Sequence, residues 1–377
     1  MEKIGIYGGS FDPVHLEHVR LALLAVEKLG LSKLIVMPTF VAPHKSNSSA
    51  SAKDRFNMLK LAFADHPQIT VSDYEITKGG TSYTYLTVEH FKKQFDGQLF
   101  FITGADMLKD FKTWKYPQRI LENCTLACYG RKNADCDFES EKEYFYNTYK
   151  KDFVKIDYQG QNVSSTKARV YASLGLDITN ISGSAVAEYV KQNNLYCGDQ
   201  YADFVKKTLP QKRLIHTANV TLAGLIKCKS LGLDAKKVQT ACLLHDCAKY
   251  IDHTTVQGFS IPPDVPKPVI HSFLGAYIAQ TVLKIDDQEI IDAIKYHTSG
   301  KPQMSTLAKL VFVADMIEDG RDYQGVEQLR QAFYHQPFEQ CFKMCLQEEV
   351  LHLLNKKEYI YGLTLDAYDY YVKGENK

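Results

Sequence analysis

The sequence lacks charge of one sign. Forty-five Lys and Arg stand against 44 Asp and Glu, a net charge of +1. Such balance does not favour electrostatic capture of a nucleic-acid polymer or an anionic membrane, although a local basic pocket remains compatible with it. Long apolar runs are missing too. None approaches the ~20 residues of a bilayer span, and residues 1–9 lack the apolar core of a secretory leader. Nine cysteines are scattered without a C-x-x-C pair. That argues against a disulfide scaffold and for reduced thiols in a cytoplasmic chain. Twelve prolines and 22 glycines are too few for a collagen-like or low-complexity chain. What remains is globular: 377 residues, 45% hydrophobic and 24% charged. At roughly 150 residues per domain this predicts two domains, each able to bury its own core.

The first half alternates between short apolar runs and helical periodicity. Strands are expected at residues 3–7, 33–37, 69–72, 98–103, 125–129 and 153–156, with helices at 15–29, 53–64, 87–94 and 139–150. This order predicts an α/β domain with a Rossmann-like parallel sheet and right-handed crossovers. Ligands of such sheets bind at the carboxyl ends of the strands. Three polar segments fall there: Gly8-Gly9-Ser10, residues 39–46 and Gly104-Ala105-Asp106. Beyond Tyr196 the texture becomes all-α, with helices expected at 213–231, 235–249, 272–283, 287–297, 306–318, 324–334, 339–354 and 366–372. The boundary falls at 195–199, giving domains over 1–196 and 199–377.

The first candidate site follows the first strand as Gly8-Gly9-Ser10-Phe11-Asp12-Pro13-Val14-His15-Leu16-Glu17-His18. Glycines let backbone amides approach a phosphate, and the helix beginning near His15 aims its positive end at the same place. His15 and His18 share one face of that helix. Two imidazoles beside a phosphate can donate hydrogen bonds to charge that develops during transfer. For an isolated His-x-x-His, a helix cap and two surface histidines would be the better explanation. Here strand, glycines, Asp-Pro and helix occur together.

This segment resembles the phosphate-binding motif of the nucleotidyltransferase superfamily, specifically nicotinate-nucleotide adenylyltransferase. Ala42-Pro43-His44-Lys45 is similar to that family's Pro-Pro-His-Lys loop, with Ala42 departing. Gly104-Ala105-Asp106 resembles its Gly-x-Asp adenosine contact. Val163-Ser164-Ser165-Thr166-Lys167-Ala168-Arg169 resembles its Ile-Ser-Ser-Thr-x-x-Arg segment. The resemblance spans roughly 1–196 and implies transfer of AMP from ATP to nicotinate mononucleotide, with deamido-NAD and pyrophosphate as products. It implies an ATP site of Gly8, Gly9, Ser10, Phe11, His15, His18, Gly104, Asp106, Ser165, Thr166 and Arg169. Mg²⁺ would travel with the triphosphate. His15, His18, Lys45 and Arg169 would stabilise the transferring group. Ser165 and Thr166 also stand where a helix begins, so capping competes as their role. His44, Lys45, Thr84, Trp114 and Arg131 would contact the acceptor, Trp114 offering an aromatic face to a pyridine ring. Leu86 departs from the acidic residue usual after Ser-Tyr-Thr-x. Another phosphate monoester such as phosphopantetheine is the alternative acceptor.

The second candidate site is spread over the helical half. His216, His245, His271 and His297 stand on, or at the ends of, separate predicted helices, and Asp246 follows His245 directly. Asp315 lies among Leu310, Val311, Phe312 and Val313, where a carboxylate is costly unless paired or metal-bound. Imidazole with carboxylate suits Fe, Mn or Zn better than Ca. The ordered series Arg213-x-x-His216, His245-Asp246-x-Ala248-Lys249, His271-Ser272-x-x-Gly275, His297-Thr298-x-Gly300 and Asp315-x-Ile317-Glu318-x-x-Arg321 resembles the HD-domain metallophosphohydrolases. It is most similar to their bacterial symmetrical diadenosine-tetraphosphate hydrolase branch. Asp319-Gly320 departs where a proline is expected.

That resemblance implies two divalent metals, iron by family, with Asp246 bridging. His216, His245 and Asp315 would complete one side, and His271 and His297 the other. Two such ions, roughly 3.5–4 Å apart, activate water and stabilise attacking and leaving oxygens. Diadenosine tetraphosphate would be split into two ADP, with Lys249 and Arg321 as phosphate clamps and Arg213 a further cation nearby. A metal-free nucleotide-binding regulatory module is the competing reading. A homo-oligomer is compatible with the sequence but not indicated by it.

Overall fold

The computed structural model describes residues 1–41, 49–131, 137–158, 160 and 163–374; the side chains of Asp106 and Arg131 lie outside what it describes. The chain divides into two compact units. One comprises Met1–Ala172 with Asp177–Tyr196, the other Ser173–Leu176 with Cys197–Lys377.

The first unit is built on six parallel strands: β1 Lys3–Gly9, β2 Lys33–Pro38, β3 Ile69–Val71, β4 Gln98–Gly104, β5 Thr125–Arg131 and β6 Val154–Tyr158. Their order is β3-β2-β1-β4-β5-β6. The central strands read as continuous apolar runs because both faces are covered, as in parallel sheets generally. Ile4 and Ile6 of β1 are fully buried against Val88, Phe91 and Ile120 on one side, while Tyr7 joins Ala22, Ala25 and Ala168 on the other. The chain leaves β1 for β2 on one side and later returns to β4 on the other. The carboxyl ends of β1 and β4 therefore diverge into a crevice, the usual ligand position of such a sheet.

The helices of this unit are α1 Leu16–Leu29, α2 Ala52–Ala62, α3 Tyr74–Lys78, α4 Thr84–Gln94, α5 Ala105–Lys109, α6 Pro117–Asn123, α7 Phe138–Tyr149, α8 Ser165–Ser173, α9 Thr179–Ser182 and α10 Ser184–Gln192. Helix α1 ends at Gly30, whose left-handed backbone (φ +63°) lets its N–H return to Glu27 and Val26 carbonyls. Helices α3, α5 and α6 were not expected. At five to seven residues they are too short to display an amphipathic period.

The second unit contains α11 Gln200–Thr208, α12 Gln211–Cys228, α13 Ala235–Leu244, α14 Ile270–Thr281, α15 Gln288–Tyr296, α16 Thr306–Ile317, α17 Val326–His335, α18 Phe338–Asn355 and α19 Gly362–Tyr368. Among its described residues there is no strand. The helix expected over 235–249 stops at Leu244, and residues 245–250 form turns. That stop matters, because it turns His245 and Asp246 inward instead of spacing them around a helix. Among the described residues no helix is long and apolar enough to cross a membrane.

Candidate active sites

The crevice of the first unit is a cavity of about 560 Å³ lined by Gly8, Gly9, Ser10, Phe11, His18, Gly104, Thr84, Trp114 and Ser165 among others. Gly9 leaves room for the Phe11 ring. A Cβ on it would stand 3.0 Å from the Phe11 ring, and Phe11 itself adopts a left-handed backbone, φ +48°.

Beside the crevice, His15 is the N-cap of α1. Its Nδ1 accepts from the His18 amide at 3.3 Å, and the Nδ1 of His18 accepts from the His15 amide at 3.2 Å. The rings stack with centroids 3.6 Å apart. Both Nδ1 atoms are acceptors, so the N–H of each ring is on Nε2. Burial pushes His15 down to about 4, keeping it neutral.

The Ser-Ser-Thr segment divides its labour differently from expectation. Ser164 caps α8, accepting from the Lys167 amide at 3.1 Å. That releases Ser165 to donate to the Pro13 carbonyl at 2.8 Å. Thr166 accepts from Arg169 at 3.3 Å, while Arg169 also donates to the Asp12 carbonyl at 2.6 Å. These residues therefore tie α8 to the turn after β1.

The cavity also holds Trp114, whose indole is edge-on to Phe101 at 6.0 Å. Its buried Nε1 has no hydrogen-bond partner among the described residues. Lys115 lines the same cavity, its ammonium 4.5 Å from the Tyr83 ring centroid. Although Leu86 replaces an expected acid, a carboxylate still reaches this loop: Thr87 donates to Glu75 Oε1 at 2.5 Å. Glu75 also lines the cavity. His44 and Lys45, and the side chains of Asp106 and Arg131, lie outside what is described.

In the second unit His216 from α12, His245 and Asp246 after α13, His271 from α14, His297 after α15 and Asp315 from α16 converge. Three sets of their ligand atoms each lie within 4.8 Å: His216, His245 and Asp246; His245, His297 and Asp315; Asp246, His271 and His297. Asp246 faces two ways. Its Oδ2 is 3.8 and 3.6 Å from Nε2 of His216 and His245, and its Oδ1 is 3.0 and 3.6 Å from Nε2 of His271 and His297.

The donor set fits metal ions. Oδ1 of Asp246 is buried yet has no hydrogen bond among the described residues. The ring nitrogens meet face to face, His216 to His245 at 3.2 Å and His271 to His297 at 3.3 Å. Outside the cluster, Nδ1 of His245 donates to the Cys242 carbonyl at 2.7 Å and that of His297 to the Ile294 carbonyl at 2.8 Å. Each such bond leaves an Nε2 lone pair pointing inward, the arrangement by which outer partners orient metal-binding imidazoles. Burial pushes His245 down to about 3, so it is neutral. Burial alone would raise the Asp246 carboxyl; His245, His271 and His297 outweigh it and hold Asp246 well below the usual range. Asp315 is held low in the same way, by His216 and Arg321.

Cations surround the cluster. Arg213 reaches Asp246 Oδ2 at 2.7 Å, Lys249 is 3.1 Å from Nε2 of His271, and Arg321 pairs with Asp315.

Residues 6–170 match the cytidylyltransferase-like family, and residues 213–320 match the HD domain. A relative from Mycoplasma genitalium, "Probable nicotinate-nucleotide adenylyltransferase/Ap4A hydrolase", is 31% identical over 85% of this chain and 88% of its own. This chain belongs to the nicotinate-nucleotide adenylyltransferase/Ap4A hydrolase family. A Clostridium tetani relative, "Probable nicotinate-nucleotide adenylyltransferase", is 36% identical, covering 52% of this chain and all of its own. The crystal structure of a "predicted HD superfamily hydrolase involved in NAD metabolism" from Clostridium acetobutylicum covers 47% of this chain and 97% of its own, with 28% identity and a TM-score of 0.42.

As a member of this family the chain is an enzyme, and it contains site residues that sequence reasoning did not assign. Glu318 accepts from Nδ1 of His216 at 3.1 Å and takes the Gly320 amide at 2.6 Å. Proline at position 320 would lack that N–H. Glu318 stands three residues after Asp315 in the recognised series, as the C-cap of α16. Arg55 is 1% exposed and donates to the Ser10 and Phe40 carbonyls at 2.8 and 3.3 Å. Nothing in its helix distinguishes it from a solvated arginine.

Proposed function

We propose that the first unit transfers AMP from ATP to nicotinate mononucleotide, and that the second splits diadenosine tetraphosphate into two ADP. The activities divide between residues 1–196 and 199–377 in a cytoplasmic enzyme. The observation that carries the reading is the pairing of two built sites: stacked Nε2–H donors beside a tryptophan-lined cleft, and an aspartate with imidazoles on both oxygens.

In the first reaction an oxygen of the mononucleotide phosphate attacks the α-phosphorus of ATP. The bond from that phosphorus to the bridging oxygen breaks, and pyrophosphate leaves with its electron pair. The acceptor is itself the nucleophile, so the chain supplies position and charge stabilisation. His15 and His18 donate from Nε2 to phosphate oxygens as charge shifts. Arg169 and Lys45 add positive charge, and Mg²⁺ accompanies ATP. Ser165 and Thr166 hold the cleft's edge, Gly104 and Asp106 take the adenosine side, and Trp114, Thr84, His44 and Arg131 the acceptor.

In the second unit Asp246 would be shared by two divalent metals, with His216, His245 and Asp315 on one side and His271 and His297 on the other. Iron suits this imidazole–carboxylate set. When bound, such metals supply an activated water and neutralise phosphate charge. Lys249, Arg213 and Arg321 bind the polyphosphate chain, and Glu318 holds His216 in its ligating orientation.

Purified chain given ATP with nicotinate mononucleotide should release pyrophosphate and deamido-NAD; preference for phosphopantetheine would overturn the acceptor. Given diadenosine tetraphosphate it should yield ADP alone. Equal AMP and ATP would overturn the symmetrical cut, and binding without products would favour a regulatory module.

A further inference from the structure

The last residue of the first unit returns to the turn after β1. Tyr196, held with a left-handed backbone at φ +65°, donates its hydroxyl to Asp12 Oδ1 at 3.0 Å. Asp12 is buried. The same oxygen accepts from the Ala50 amide at 3.0 Å, and Oδ2 accepts from the Ser49 amide at 2.7 Å. One carboxylate thus joins three chain segments that are remote in sequence. Arg55 grips the other side of the turn through the Ser10 carbonyl, and Arg169 grips the Asp12 carbonyl. Ser10 and Phe11 line the cavity just before Asp12, and His18 lines it six residues later. A shift of Asp12 is therefore a shift of the donors at the site.

Hydrogen bonds to an ionised acceptor are stronger than neutral ones, and a tyrosine hydroxyl is a donor that a phenyl ring lacks without changing shape. We propose that Tyr196 is a positioning residue of the adenylyl-transfer cleft, acting through Asp12 to fix the turn between Ser10 and His15 against residues 49–50. The inference rests on the function proposed for the first unit. Donors that act on the transition state tolerate little displacement, and a misplacement of ~1 Å can cost about a hundredfold in rate. Loss of one of three anchors should therefore act on kcat more than on KM.

The test uses the full chain with Tyr196→Phe, Asp12→Asn and both together. For Tyr196→Phe, kcat for deamido-NAD formation should fall about tenfold, with KM for ATP within about threefold of the parent. Amide exchange at Ser49 and Ala50 should quicken by about the same factor, while hydrolysis of diadenosine tetraphosphate stays unchanged. In the double variant Tyr196→Phe should add little to Asp12→Asn, because Tyr196 acts on the turn through Asp12. A kcat within twofold of the parent, or losses that multiply in the double variant, would overturn the positioning role. A parent chain with no adenylyl transfer would overturn the proposed function instead. The exchange rates would then decide alone, and unchanged exchange at Ser49 and Ala50 would refute the latch.

Discussion

His15 and His18 cap one another: each imidazole accepts, at Nδ1, the amide proton of the other's residue. The exchange fixes both tautomers without any third group. In the proposed reaction the N-terminal cap of α1 and the contacts to phosphate depend on the same two rings. His18→Ala should lower kcat for adenylyl transfer by about 10²–10³, the usual cost of one preorganised donor. It should cost only about 1 kcal/mol of stability through the lost half of the cap. Steady-state kinetics beside urea unfolding separate the two.

Protonating His15 must use the Nδ1 that holds the cap, and burial opposes it; its folded value is about 4 against 6.5 for a free imidazole. The unfolded chain therefore binds the extra proton first as pH falls. Stability is intact above pH 6.5 and is lost progressively down to about pH 4. The loss is on the order of 3 kcal/mol at most. Fluorescence of the single Trp114 reports unfolding of this unit. His15→Gln should flatten the dependence over this window; an unaltered slope would assign the loss to another group.

Lys115 and Trp114 line the cavity, and the proposed reaction places the mononucleotide beside them. Lys115→Met should reduce kcat/KM for nicotinate mononucleotide about tenfold, one charge-assisted contact. Any turnover of nicotinamide mononucleotide, which carries no ring carboxylate, should barely change. Equal losses with both acceptors would place the ammonium elsewhere. Trp114→Ala should raise the acceptor KM more than the ATP KM.

Asp246 is common to both halves of the histidine cluster. Asp246→Ala should abolish bound metal by elemental analysis and ADP release together, leaving adenylyl transfer intact. Stripping the parent with a chelator should remove bound metal and ADP release, while adenylyl transfer, lost with its Mg²⁺, should return on adding Mg²⁺ alone. Metal content that survives the substitution would remove Asp246 from the ligand set.

Glu318 touches His216 and not the cluster centre. Glu318→Gln should weaken metal affinity by about 10- to 100-fold, the range for outer partners of metal ligands. Competition with a chromogenic chelator measures this directly. The ligand count at saturation should not change.

Much of this architecture was legible because the decisive signals are local or chemically out of place. A glycine turn between strand and helix needs only ten residues to be seen. Asp315 stands out because residues 310–317 of α16 are otherwise apolar, and the imidazoles recur in ordered motifs. What escaped notice is long-range. Arg55 and Ser10 are 45 residues apart, and Tyr196 and Asp12 are 184 apart. No periodicity encodes such bonds. The capping role of Ser164 escaped for a different reason: two adjacent serines offer the same chemistry, and only backbone direction chooses between them. Glu318 lay within a recognised series, but its role depends on the Nδ1 side of a ring whose Nε2 side does the ligating.

All six strands run the same way, so everything reactive in the first unit gathers at one rim of the sheet. The opposite rim, where Asp65, Asp96 and Asp152 sit just ahead of their strands, is far from the chemistry by construction. Fluorophores or affinity handles grafted onto those loops should leave turnover untouched, giving the molecule a built-in surface for immobilisation.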